Sequence, residues 1–109
     1  MASNVEKLTA ENFEERVVGA GRPVLVDFYA DWCAPCRVVE PVVDQLATDY
    51  ADRIGVYKVD VDSSPELATR FGVRSIPTLL LFKDGAPVET LIGVVTRGQL
   101  SGVLVRIAA

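Results

Sequence analysis

The sequence contains no histidine, and its two cysteines, Cys33 and Cys36, are confined to one short stretch, Trp32-Cys33-Ala34-Pro35-Cys36. A structural zinc site takes four ligands, mostly Cys and His, so this supply argues against one within a single chain. Two chains could pool four thiolates around zinc or an iron-sulfur cluster, but nothing else in the sequence calls for it. There is no basic block either. The 11 Lys plus Arg and 15 Asp plus Glu leave a net charge of -4, spread along the chain. Phosphate backbones demand clustered positive charge, so nucleic acid and anionic membrane surfaces are poor partners. No apolar run approaches the roughly 18 residues of a membrane span, and the start, MASNVEKLTAENFEERV, lacks the apolar core of a secretory signal. A soluble cytoplasmic protein is the expectation. Thiols in that compartment stay reduced, so a close cysteine pair reads as catalytic or metal-binding before it reads as structural.

What is present is enough for one core. The chain has 109 residues, half of them hydrophobic and 24% charged, which fits a single domain over 1–109 that folds without cross-links. Strand and helix patterns alternate along it. Thr9 to Val18 reads as a helix opened by a hydroxyl cap and stopped by Gly19 and Gly21. Pro23 to Ala30 (PVLVDFYA) is apolar almost throughout, as for a central strand covered on both faces. Val39, Val42, Val43, Leu46 and Tyr50 form a helical stripe, with Asp44, Gln45, Thr48 and Asp49 opposite, so a long helix begins at the cysteines and carries Pro41 inside it. Gly55 to Val61 alternates like a strand, and Ser64-Pro65-Glu66 opens a short helix that closes at Gly72. Thr78 to Lys83 and Val88 to Val95 read as antiparallel neighbours across Asp84-Gly85, through a connection longer than two residues. Thr96 caps a last helix carrying Leu100, Val103, Leu104 and Ile107, and a short strand near Val5 is possible.

Cysteines at i and i+3 on the first turn of a helix lie roughly 5 Å apart, close enough to cycle between dithiol and disulfide. Cys33 falls where free backbone N–H groups and the positive end of the helix dipole favour an anion, which lowers a thiol pKa. Pro35 fixes a backbone angle at the helix start, Trp32 can shield one side of the sulfur, and Ala34 leaves the other side open. A plain staple is the weaker reading, because closing so short a loop restricts the unfolded chain little.

Asp27 stands in the middle of PVLVDFYA, where an ionised, unpaired carboxylate would be expensive to bury. An isolated aspartate there reads first as surface-reaching or structurally paired. Its place six residues before Cys33 also allows it to sit behind the sulfurs, where a desolvated carboxyl could act as base or acid near neutrality. Lys58, in the strand expected next to it, could supply a counter-charge, although the plain reading of Lys58 is an exposed lysine.

Taken together, WCAPC after a strand containing Asp27, Arg74-Ser75-Ile76-Pro77-Thr78 some forty residues later, Asp84-Gly85 and Gly93 closely resemble the thioredoxin family over about Val5 to Ile107. The resemblance implies an α/β fold with a central five-stranded mixed β-sheet flanked by four α-helices, and a cis Ile76-Pro77 bond facing the cysteines. It implies that Trp32, Ile76, Pro77 and Gly93, with Ala34 and Pro35 at the rim, hold an extended client segment. Ala34 and Ser75 stand where the family usually has Gly, Tyr29 and Val94 also depart from its commonest pattern, and partner preference is what these changes bear on.

The implied activity is protein disulfide reduction. Cys33 is the nucleophile, Cys36 the resolving thiol, Asp27 the proton acceptor and donor, and Lys58 a modulator of Asp27. No metal or organic cofactor is implied beyond the redox-active disulfide. Oxidising relatives commonly carry His between the cysteines; its absence here predicts a reductant. An NADPH-dependent flavoprotein, thioredoxin reductase or its equivalent, would recharge it, the partners would be disulfide-containing client proteins, and a monomer is expected. The alternative is a binding or scaffold module with incidental redox activity, which a Cys36→Ser change would distinguish. An oxidase or isomerase of the secretory route is opposed by the missing signal segment and the missing His.

Overall fold

A computed structural model describes residues 5–108; residues 1–4, the beginning of the N-terminal stretch read above, and residue 109 lie outside the described residues. Five strands, β1 (Glu6–Lys7), β2 (Val24–Tyr29), β3 (Gly55–Asp60), β4 (Thr78–Lys83) and β5 (Ala86–Ile92), form one mixed sheet in the order β1-β3-β2-β4-β5. β3 runs parallel to β1 and β2, while β4 is antiparallel to β2 and β5. The apolar run containing β2 is therefore the central strand, as its composition predicts.

Because side chains alternate along a strand, a sheet covered on both faces needs an unbroken apolar run. Leu25, Leu79 and Leu81 point to one side, against Val39, Val43 and Leu46 of α1 (Ala34–Asp49) and Leu100 and Leu104 of α3 (Arg97–Ala108). Val24, Val26, Phe28, Leu80 and Phe82 point to the other, against Phe13, Val17 and Leu67 of α2 (Pro65–Arg70). There Phe13, Phe71 and Phe82 pack with ring centroids 5.2 to 5.7 Å apart, two of the three pairs edge-on. Among the described residues four helical segments flank the sheet, three α-helices and one π turn.

That π turn, Glu14–Val18, replaces the α-helix expected over Thr9 to Val18. Its N-cap is Phe13 rather than Thr9, whose N–H donates instead to Asn12 Oδ1 at 2.8 Å. The Gly19 N–H reaches back five residues to the Glu14 carbonyl, at 2.9 Å. Ser64 precedes α2 as expected but makes no side-chain cap; the Asp60 carboxylate takes the N–H groups of Asp62 and Ser63 instead.

The β4–β5 connection is shorter than expected. Asp84 (φ 55°) and Gly85 (φ 81°) make a tight two-residue turn between paired Lys83 and Ala86. The register then shifts between Leu81 and Phe82, which pair with Glu89 and Pro87, so one extra residue is taken up as a bulge beside a proline that has no N–H to give the ladder. β5 also stops at Ile92 instead of Val95, where Gly93 turns the chain at φ 88°.

At the start of α3, the Gln99 N–H donates to Thr96 Oγ1 at 3.1 Å and Gln99 Oε1 accepts from the Thr96 N–H at 2.9 Å, a reciprocal capping box. Thr96→Ala is expected to cost about 1 kcal/mol, read as a lower denaturation midpoint with an unchanged slope.

Candidate active site

The site lies where β2 ends and α1 begins, with the β3 and β4 loops beside it, the carboxyl-end position at which open α/β sheets bind ligands. Cys33 is the N-cap of α1 in extended conformation (φ -89°, ψ 105°), and Pro35 sits in the first turn, where a missing N–H costs nothing. The Cys36 N–H donates to Cys33 Sγ at 3.2 Å, so the sulfur occupies the place of a capping oxygen and a thiolate there would meet the positive end of the helix. The two cysteines are disulfide-bonded with Cα atoms 5.3 Å apart. Both are buried, whereas Trp32, Ala34 and Pro35 around them are exposed.

Ala30, Cys33 and Cys36 form a small apolar cluster against which Tyr29, Val61 and Ile76 pack. The Ile76 carbonyl oxygen lies 3.9 Å from Cys33 Sγ, and the Ile76-Pro77 bond is cis. Thr78 Oγ1 donates to the Ser75 carbonyl at 2.6 Å, and the Gly93 N–H donates to the Pro77 carbonyl at 2.9 Å. These bonds tie the loops before β4 and after β5 into one wall beside the sulfurs. Ile92 and Val94 expose large apolar surface next to Gly93, and Trp32 is 68% exposed with its indole N–H donating to Asp62 Oδ2 at 2.8 Å. Exposed apolar side chains beside the sulfurs suit contact with a polypeptide.

Behind the disulfide, Asp27 faces α1 from the centre of β2, in register with Lys58 on β3 and Leu79 on β4. Its residue is only 4% exposed, and its Oδ1 has no hydrogen-bond partner among the described residues. Burial first, and then the negative charge of Glu40, push the Asp27 carboxyl up to about 7, against the opposing pull of Lys58. A cleft of about 270 Å³ opens beside it, with Asp27, Cys36, Lys58 and Glu40 among its walls. Lys58 is half-buried rather than exposed, its ammonium 5.5 Å from the centre of the Tyr29 ring. The Tyr29 hydroxyl is itself pushed up to about 12, by burial and then by Asp60.

The structure thus brings Cys36, Asp27 and Lys58 around one cleft, while Cys33, bonded to Cys36, lies against Ile76 on the side of Pro77, Gly93 and Trp32. Sequence reading passed over Glu40 and placed Asp44 on the far side of the helix, yet both line the cleft. The signal was available: positions 36, 40 and 44 repeat every four residues and share the face of the resolving cysteine. Asp62, holding Trp32 from a loop thirty residues away, left no such local signal.

The family model described as Thioredoxin matches residues 4–106. The chain belongs to the thioredoxin family. It is 47% identical over 97 residues to Thioredoxin 1 of Synechococcus elongatus, covering 89% of this chain and 91% of that one. It is 46% identical over 101 residues to Thioredoxin of Pyropia yezoensis, covering 93% and 94% of the two chains. Against the chloroplastic Thioredoxin M-type of Pisum sativum it is 46% identical over 99 residues, 91% of this chain and 58% of that one. As a thioredoxin it is an oxidoreductase of protein disulfides, and Cys33 and Cys36 are its redox-active pair. Thioredoxins work through that disulfide without a further cofactor. Among the described residues no group of three or more His, Cys, Asp or Glu could hold a metal ion, and no helix is long and apolar enough to cross a membrane.

Proposed function

We propose that this thioredoxin acts as a single-domain, monomeric cytoplasmic reductant in which the two cysteines have unequal roles. The Cys33 thiolate attacks a client disulfide, forming a mixed disulfide and releasing one client thiolate. Cys36 gives its proton to Asp27 and attacks Cys33 Sγ, so the second client sulfur leaves with the electron pair and the Cys33–Cys36 disulfide forms. Lys58 modulates Asp27, and Trp32, Ala34, Pro35, Ile76, Pro77 and Gly93 hold the client segment. The observation that carries this reading is the buried Asp27 carboxyl facing the helix that begins at the disulfide.

An NADPH-dependent flavoprotein reductase returns the electrons, and clients are proteins with accessible disulfides. Direction follows from the pair's setting: no imidazolium lies between the cysteines to stabilise the reduced form, so the dithiol is a strong donor. Equilibration in graded thiol buffers, followed by fluorescence of Trp32, the only tryptophan, tests this. A midpoint potential well below that of the glutathione pool is expected; a value at or above it would make the protein an oxidant or isomerase.

A further inference from the structure

The cleft behind the disulfide contains more charge than the exchange reaction accounts for. From β2 it is lined by Asp27 and Tyr29, from the following loop by Asp31, from β3 by Lys58, and from α1 by Arg37, Glu40 and Asp44. Asp27 is the buried member, and its Oδ1 accepts nothing from the described residues. A proton that Asp27 takes from Cys36 must leave again before the next turnover, and the cleft is the opening next to it.

The surrounding groups are not equivalent for that purpose. Lys58 as an ammonium and Arg37 as a guanidinium are donors with no lone pair to receive a proton. The Arg37 guanidinium is also tied to the Asp31 carbonyl, at 2.5 Å. The Tyr29 hydroxyl, pushed up to about 12, holds its proton through the working range. Carboxylates remain. Glu40 is one helical turn beyond Cys36, about 6 Å along the axis, whereas Asp44 is two turns away at about 12 Å. Asp31 is exposed, while Glu40 is half-buried on the face that looks at β2.

We propose that Glu40 is a positioning residue for the exchange reaction: from the rim of the cleft its carboxylate governs proton transfer between Cys36 and Asp27. The proposal rests on the reading of Asp27 as the acceptor. In support, Glu40 acts on the Asp27 carboxyl more strongly than any other charge in the cleft, ahead of Lys58 and Asp44. Burial does most to bring Asp27 near neutral pH, where a base is both ionised and able to hold the proton it receives, and the negative charge of Glu40 adds to that shift and makes Asp27 a stronger base.

The test is Glu40→Gln in the full chain, which keeps the shape and removes the charge. Two readouts are followed: the titration of the Asp27 carboxyl by NMR, and the pH profile of the resolving step in single-turnover reduction of dithiobis(nitrobenzoate). Both midpoints are expected to move toward acid by about half a unit, a roughly threefold weaker hold on the proton, with Glu40→Asp restoring most of the shift. Asp44→Asn, farther along the helix, is expected to move them less. Profiles of Glu40→Gln that superimpose on the parent would overturn the proposal. Asp27→Asn separates the two possible failures: if it leaves the acid limb of the resolving step in place, Asp27 is not the acceptor and the underlying reading falls; if it removes that limb while Glu40→Gln changes nothing, only the assignment of Glu40 is lost.

Discussion

A Cys36→Ser variant is expected to stall on its clients, accumulating a covalent adduct on Cys33 while turnover falls by at least roughly a thousandfold. The reason is geometric. Cys36 lies one helical turn from Cys33, with Cα atoms 5.3 Å apart, so its attack on the mixed disulfide is intramolecular and enjoys the large effective concentrations of held reactants. An external thiol at millimolar concentration cannot replace it. Intact-mass measurement after mixing with a disulfide-containing protein detects the adduct, and steady-state reduction driven by a small dithiol gives the loss of turnover. Cys33→Ser is expected to give neither adduct nor turnover, because a serine hydroxyl is no nucleophile toward disulfides at neutral pH. Equal adduct formation by the two variants would mean that the cysteines do not divide the work as proposed.

The second large effect concerns stability. In the folded protein the Asp27 carboxyl titrates at about 7 instead of 3.8, because burial penalises its charged form and Glu40 adds to the penalty. Between those values the native state holds a proton that the unfolded chain has released, so stability falls as pH rises. This contribution is fully present below about pH 4, is lost progressively up to about pH 7, and is absent above it. At roughly 1.4 kcal/mol per unit, a shift of about three units corresponds to some 4 kcal/mol, on the order of a third or more of a small domain's total. Asp27→Asn removes the ionisable group, and is expected to stabilise the protein by about 3 to 4 kcal/mol at pH 8 and by little at pH 4. Denaturant unfolding at the two pH values measures the difference. An equal effect at both would show that charge burial is not the cause. The same substitution is expected to slow resolution by Cys36, so the carboxyl is retained for chemistry at a cost in stability.

Much of this protein was legible in its residues because the signals are local. PVLVDFYA reads as a strand covered on both faces, and it lies third of five in the sheet. The cysteines open a helix because Pro35 suits a first turn and the Cys33 sulfur replaces a capping oxygen. Asp27 was conspicuous as the one charge in an apolar run. Where local signals misled, tertiary packing was the competitor. The segment before β2 was drawn into a π turn with both Phe13 and Val17 buried. The β4–β5 hairpin kept its tight Asp84-Gly85 turn by absorbing an extra residue farther along the strand, something no turn rule predicts.

By itself the sequence determined the order of elements and the thiol chemistry, since each depends on residues within a helical turn or a strand's length of one another, and the family likeness, since that needs only the order of short motifs along the chain. Only the tertiary structure decided how deeply Asp27 is buried, that Glu40 and Lys58 share its cleft, that Asp62 holds Trp32, and that Gly93 is bonded to Pro77. These are pairings between residues thirteen to thirty-one positions apart. Their energies depend on desolvation and on distances of a few ångströms, and neither exists until the sheet and α1 have closed over one another.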